Sequence, residues 1–140
     1  VGDGPCRNDL ELLTKKLFLD KHIDFIGQVS KEKINDILLD SEIFVLPSDS
    51  EGMSNALLEA MSRGLSVITA DIPANKEIIE DSINGLMFGD EKGLENCLVR
   101  LATDRIYRSD LGRESKATIN NKYSFDKVSS AYRDAYEKLI

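Results

Sequence analysis

The chain has 140 residues, 41% of them apolar and 31% charged, a balance that excludes a disordered chain and fits a single folded domain over 1–140. Its formal net charge of −7 and the absence of any Lys/Arg cluster exclude a nucleic-acid surface, because phosphate backbones are held by clustered basic side chains. No apolar run approaches the roughly 20 residues of a membrane-spanning helix, and Cys6 and Cys97 stand at neither disulfide-framework nor zinc spacing, so the expectation is a soluble, cytoplasmic chain.

Taken in order, Val1-Gly2-Asp3-Gly4-Pro5 reads as the last residue of a strand entering a turn. With no initiator Met before it, the chain is expected to begin inside a larger protein. Apolar residues at three- and four-residue spacing predict a helix over Asp9–Phe18, capped near Asn8. Ile23–Ile26, apolar except for Asp24, predicts a strand. A helix over Lys31–Leu39 follows Ser30, then a strand over Ile43–Leu46, a helix over Asn55–Met61 beginning at Ser54, and strands over Val67–Ala70 and Leu86–Phe88. Unbroken apolar strands between amphipathic helices are the mark of a parallel sheet covered on both faces. The fold class expected is therefore α/β, a doubly wound, Rossmann-like parallel sheet. After Gly89 come helices only: one marked by Leu94, Leu98 and Leu101, one over Ile106–Asn120, and one from Ser124-Phe125 through Val128, Tyr132, Ala135, Tyr136 and Leu139. These extra helices are expected to cover one edge or to reach back to another domain.

Ligands of a doubly wound sheet bind beyond the carboxyl ends of the strands, and the stretch SDSEGMSNALLEAMSRG, Ser48 to Gly64, lies there. It places Glu51 and Glu59 on either side of the start of a helix. Were the backbone helical throughout, they would be separated by about 12 Å along the axis and roughly 80° around it, too far for the carboxylate pair of a glycosidase. The helix start between them presents unpaired N–H groups suited to phosphate, and carboxylates accept hydrogen bonds from hydroxyls. Hydroxyl binder, phosphate binder and hydroxyl binder in a row match a nucleotide sugar. Gly52 admits backbone close to a ligand, and Ser54 and Asn55 can cap the helix or meet the sugar. Acidic residues at helix starts are equally ordinary dipole partners and Ser54 an ordinary cap; spacing alone leaves both readings open.

The same stretch resembles the donor-binding signature of retaining nucleotide-sugar glycosyltransferases of the GT-B fold, the glycosyl transferases group 1 family, in which two glutamates are separated by seven residues. VGDGP, FIGQV, FVLPS, EGMSNALLEAMSRG, SVITA and KEIIEDSINGLMF resemble the family in order and spacing over nearly the whole chain. The resemblance implies the C-terminal, donor-binding half of a two-domain enzyme that transfers a hexosyl group to an acceptor hydroxyl with retained configuration, in polysaccharide or glycolipid synthesis. It implies that Glu51 contacts the transferred sugar near the reacting carbon and that Glu59 holds the ribose. The amides of Gly52, Met53 and Ser54 would face the sugar and those of Asn55 and Ala56 the diphosphate. Gln28 and Val29 would line the base, with Gly2 and Gly4 on the same rim. No cofactor or metal ion is implied. The implied partners are a nucleoside-diphosphate sugar and an N-terminal acceptor-binding domain, which would carry any peripheral membrane contact. The family's upstream Arg and Lys clamp and that domain are absent from this sequence, so the chain by itself is expected to bind donor weakly and to transfer nothing. Leu65-Ser66 and Ile72-Pro73-Ala74 also depart from the family pattern, which leaves the sugar unassigned.

Other chemistries have less support in the residues. VGDGPCR resembles a dinucleotide fingerprint but puts Arg7 where the third glycine belongs. Asp49-Ser50-Glu51 has acids that could hold a divalent ion on a phosphate, with a polar loop as the plainer reading. His22, the single histidine, lies in the charged turn Asp20-Lys21-His22 and reads as solvated. A noncatalytic nucleotide-sugar-binding module, and an epimerase or phosphorylase of the same fold, are the alternatives to a transferase.

Overall fold

A computed structural model of the chain describes residues 1–50 and 52–137, the side chains of Phe125, Asp126, Ala131 and Ala135 excepted. By compactness the chain divides into two units, 1–37 and 38–140, where the sequence reading has one domain.

The first unit holds helix α1, Arg7–Lys16, and most of helix α2, Lys31–Leu39. α1 starts two residues earlier than expected, and its N-cap position is Cys6, which makes no side-chain cap bond; Asn8 is not the cap. The helix stops at Lys16 because Phe18, at φ 58°, turns the chain into the left-handed region, where its amide and that of Leu19 close onto the carbonyls of Lys15 and Thr14. The strand expected over Ile23–Ile26 is not formed among the described residues. A strand exists only through a paired neighbour, and the single bond from Gly2 N to Gly27 O, 2.8 Å, makes no ladder. Ile23 and Ile26 are accordingly 41% and 45% exposed.

The second unit carries a parallel sheet of three strands, β1 (Ile43–Leu46), β2 (Ser66–Ala70) and β3 (Leu86–Phe88), in the order β1-β2-β3. Ile43 pairs with Ser66 and Leu46 with Thr69; Ile68 pairs with Leu86 and Ala70 with Phe88. Neighbouring Val67 and Ile68 point to opposite faces and both are fully buried, so β2 is covered on both sides. Helix α3 (Asn55–Arg63) joins β1 to β2, and the short α4 (Pro73–Lys76) follows β2 with Pro73 in its first turn.

The α/β class expected from the sequence is therefore the class observed, and the helices after Gly89 form as expected: α5 (Glu91–Thr103), α6 (Arg105–Lys122) and α7 (Phe125–Glu137). Leu139, assigned to the last of them, lies outside the described residues. Asp90 and Asp104 cap α5 and α6 by accepting from Gly93 N (2.7 Å) and Tyr107 N (2.9 Å). α5 and α6 pack on the sheet: Leu101 and Leu111 join Ile68 and Leu86 in the buried core, flanked by Ile43, Val45, Phe88 and Leu94. α6 also packs along α3. Asn84, 4% exposed, ties the turn before β3 to α6; its amide donates to Ile78 O (3.1 Å) and Thr118 Oγ1 (3.0 Å) and accepts from Glu80 N (2.8 Å).

Candidate functional site

β1 delivers the loop Pro47–Ser54 to the carboxyl edge of the sheet, and α3 starts from it. Ser54 is the N-cap, extended at φ −79° and ψ 107°, and its side chain accepts from Leu57 N at 3.4 Å. Leu58 N donates to Ser54 O, 3.1 Å. Ser54 is 8% exposed, and its hydroxyl is spent on the cap; it does not reach outward as a sugar ligand would. The next two amides, of Asn55 and Ala56, have no partner among the described residues, and both residues are exposed. Two amide dipoles and the positive end of the helix thus open to solvent at the carboxyl edge of the sheet, the arrangement that receives an anion.

Glu59 lies four residues after Asn55, about 6 Å along the axis and about 40° around it, on the same face of α3 and half-buried. The carboxylate and the open amides therefore stand one turn apart. The distance of about 12 Å between Glu51 and Glu59 rested on a continuous helix; the helix begins only at Asn55, so that figure does not hold. Glu51, the residue assigned to catalysis, lies outside the described residues.

Gly52 and Met53 are exposed, Met53 at 59%. They line a cavity of about 310 Å³ together with Ala74, Glu77 and Ile78. Glu77 and Ala74 were not assigned to the site from the sequence. Their signal was Pro73, a helix-starting residue just past a strand, which brings α4 to the same edge as the α3 start. Asn75, 1% exposed, anchors α4 by donating to Ala70 O at 2.9 Å. Lys76 pairs with Asp71 at 2.6 Å, both side chains exposed, a pair that adds little stability.

In the first unit, Gly2 N meets Gly27 O at 2.8 Å, which brings Gly2 close to the residue before Gln28. Gln28 is exposed and Val29 half-buried. Gly2 and Gly27 have φ of 108° and 77°, values that favour glycine. Arg7 holds this corner together: its Nη2 donates to Phe25 O at 2.9 Å and its Nε to Glu11 Oε1 at 2.7 Å. The residue that breaks the dinucleotide fingerprint is thus a structural tie. A cavity of about 650 Å³ lies between residues 1–7 and Ile23–Ile26. His22 is exposed, as its charged turn implies. Among the described residues no group of three or more His, Cys, Asp or Glu stands where it could hold a metal ion, and no helix is long and apolar enough to cross a membrane.

Comparison with known proteins places this geometry in a family. The chain is 31% identical over 143 residues to the UDP-Gal:alpha-D-GlcNAc-diphosphoundecaprenol alpha-1,3-galactosyltransferase of Escherichia coli, covering 100% of this chain and 36% of that protein. Among solved structures it is similar to the C-terminal domain of a glycosyl transferase group 1 family protein (LpcC) from Francisella tularensis. That match has a TM-score of 0.77 and 29% identity, over 85% of this chain and 63% of that one. Anabaena HepE in complex with UDP shares the fold at TM-score 0.87 and 17% identity, over 94% of this chain and 36% of that one. The chain spans about a quarter to two fifths of the length of the curated relatives it matches. The family model described as Glycosyl transferases group 1 matches residues 1–118, and the chain belongs to that family.

Proposed function

We propose that this chain is the donor-binding domain of a cytoplasmic transferase that moves a hexosyl group from a nucleoside-diphosphate sugar to an acceptor hydroxyl, with retention of anomeric configuration, in polysaccharide or glycolipid synthesis. The observation that carries the reading is the open start of α3: the Asn55 and Ala56 amides have no partner among the described residues, with Glu59 one turn along the same face. The UDP complex of HepE and the UDP-galactose donor in the name of the Escherichia coli relative support a nucleotide sugar as ligand.

In this reading the Asn55 and Ala56 amides receive the diphosphate. Negative charge grows there as the glycosidic bond breaks, and prepositioned dipoles that need no reorganisation lower the barrier. Glu59 accepts hydrogen bonds from the ribose hydroxyls. Glu51 orients the transferred sugar, with the backbone of Gly52 and Met53 against it, while Gln28 and Val29 line the base beside Gly2 and Gly4. The greater length of the relatives supports a further N-terminal domain that binds the acceptor and makes any contact with a membrane surface. The chain alone binds donor weakly and does not transfer.

Titration of UDP and UDP-glucose into the chain, followed at the amides of Asn55 to Glu59, tests the site. Saturable shifts there are expected, and a folded chain with no response to any nucleoside diphosphate overturns the reading. Product analysis with the longer protein separates the activities: a new glycoside that keeps the donor's anomeric configuration is expected, whereas donor epimerisation or a dependence on inorganic phosphate replaces the transferase with an epimerase or a phosphorylase.

A further inference from the structure

We propose that the cavity at the amino-terminal ends of β1 and β2 is an anion site that takes a phosphate group carried on a small molecule. It lies at the opposite end of the strands from the open start of α3. Its volume is about 290 Å³, and its lining includes Glu42, Arg63, Ser66, Arg105, Arg108 and Ser109.

Three arginines and one acidic residue line this one cavity, in a chain whose net charge is −7. Arg108 is the best held: its side chain is 13% exposed, Nη1 donates to Leu101 O at 2.6 Å and Nη2 to Glu42 Oε1 at 2.9 Å. Ser66 Oγ donates to Arg108 O at 2.5 Å, fixing this turn of α6 to the start of β2. Glu42 is 69% exposed, so most of its charge is already solvated and it neutralises the site poorly. Arg105, three residues earlier on the same face of α6, has no partner among the described residues.

The plain structural explanation is that arginines neutralise the carbonyl ends of helices. It accounts for Arg63, in the last turn of α3, and for Arg108, which takes the Leu101 carbonyl near the end of α5. Arg105 is not held by such a bond: it directly follows Asp104, the residue that ends α5 and caps α6, and its guanidinium has no partner among the described residues. A phosphate at the cavity supplies that partner, since the guanidinium fork matches phosphate oxygens. The hydroxyl of Ser109 supplies a further donor.

Amide-resolved NMR on the intact chain at low ionic strength, titrated with inorganic phosphate against chloride at matched ionic strength, tests the site. Saturable shifts at Ser41, Ser66 and Ser109 are expected. Arg105→Gln, an exposed substitution, weakens the apparent affinity about tenfold. Glu42→Gln removes the carboxylate that competes for Arg108 and tightens it severalfold. Shifts that chloride reproduces, that are confined to Asn55 and Ala56, or that Arg105→Gln leaves unchanged overturn the proposal. A parallel arm uses vesicles containing phosphatidic acid: Arg105-dependent binding to vesicles without binding of free phosphate overturns the small-molecule assignment in favour of a lipid headgroup. Nucleotide binding at the α3 start is read at different amides, so either site can fail alone.

Discussion

Gly112 of α6 stands so close to Gly64 at the end of α3 that a Cβ on residue 112 would overlap the Gly64 carbonyl oxygen. Gly64 itself closes α3 in the left-handed region, φ 82°, with its amide on Met61 O at 2.9 Å and that of Leu65 on Ala60 O at 3.2 Å. Two glycines thus permit α6 to lie directly on the turn that aims α3 at the site. Gly112→Ala is expected to destabilise the chain by about 2 kcal/mol through overpacking against backbone that cannot yield. Denaturant unfolding checks this, with Gly93→Ala, whose nearest contacts are looser at 3.3 and 3.4 Å, as the milder comparison.

The start of α3 allows its binding role to be separated from its structural one. Ser54→Ala removes the cap and is expected to lower stability by about 1 kcal/mol. Asn55→Pro is expected to leave stability nearly unchanged, because proline is suited to the first helical position and Ser54 already has the extended backbone that a following proline demands. It deletes one of the two open amides, so diphosphate affinity is expected to fall about tenfold. Calorimetric titration with UDP beside a thermal melt distinguishes the two variants; equal affinity for Asn55→Pro and the unaltered chain argues against the amide cradle.

Thr69 is fully buried on β2, and its hydroxyl has no partner among the described residues. A buried hydroxyl without a hydrogen bond costs its desolvation and returns nothing. Thr69→Val is expected to raise stability by about 1 kcal/mol, seen as a higher denaturant midpoint at unchanged slope. A loss of stability instead would mean that the hydroxyl has a partner when the protein is in solution.

Cys97 and Cys6 are expected to differ in reactivity. Burial, then the charge of Asp81, pushes the Cys97 thiol above its ordinary range, and Arg100 only partly opposes this. Cys6 is exposed. Because the thiolate is the nucleophile, iodoacetamide at neutral pH is expected to modify Cys6 first, as peptide mapping will show. The raised value also means that the folded state favours the protonated thiol. Its contribution to stability is complete below the ordinary thiol range and is lost as pH rises through the raised value. Cys97→Ala should flatten the alkaline decline of stability.

Periodicity read the second unit well and the first unit less well. Ile43–Leu46 and Leu86–Phe88 form as expected because each has a neighbour on which to build a ladder. Ile23–Ile26 is apolar except for Asp24 but has no paired neighbour among the described residues, and no composition rule contains that information. Phe18 was read as helix because an apolar residue at helical spacing looks the same whether its φ is negative or, as here, 58°. At the site, the helix start at Ser54 was legible from cap chemistry, whereas the roles proposed for Asn55, Ala56 and Glu59 come from the family resemblance. Ala74 and Glu77 were not legible, since only the folding of α4 against the carboxyl edge brings them to the cavity of Gly52 and Met53.

The sequence by itself determined the α/β class, the helix start at Ser54 and the family, because these depend on local capping, on residue periodicity and on motifs carried along the chain. Only the tertiary structure decided that the Ser54 hydroxyl is spent inside the helix cap while the next two amides stay open, and that Arg63 lines one cavity with Arg105 and Arg108 of a helix far along the chain. Such facts depend on which surfaces approach one another, and that is set by packing of the whole chain and by no single stretch of it.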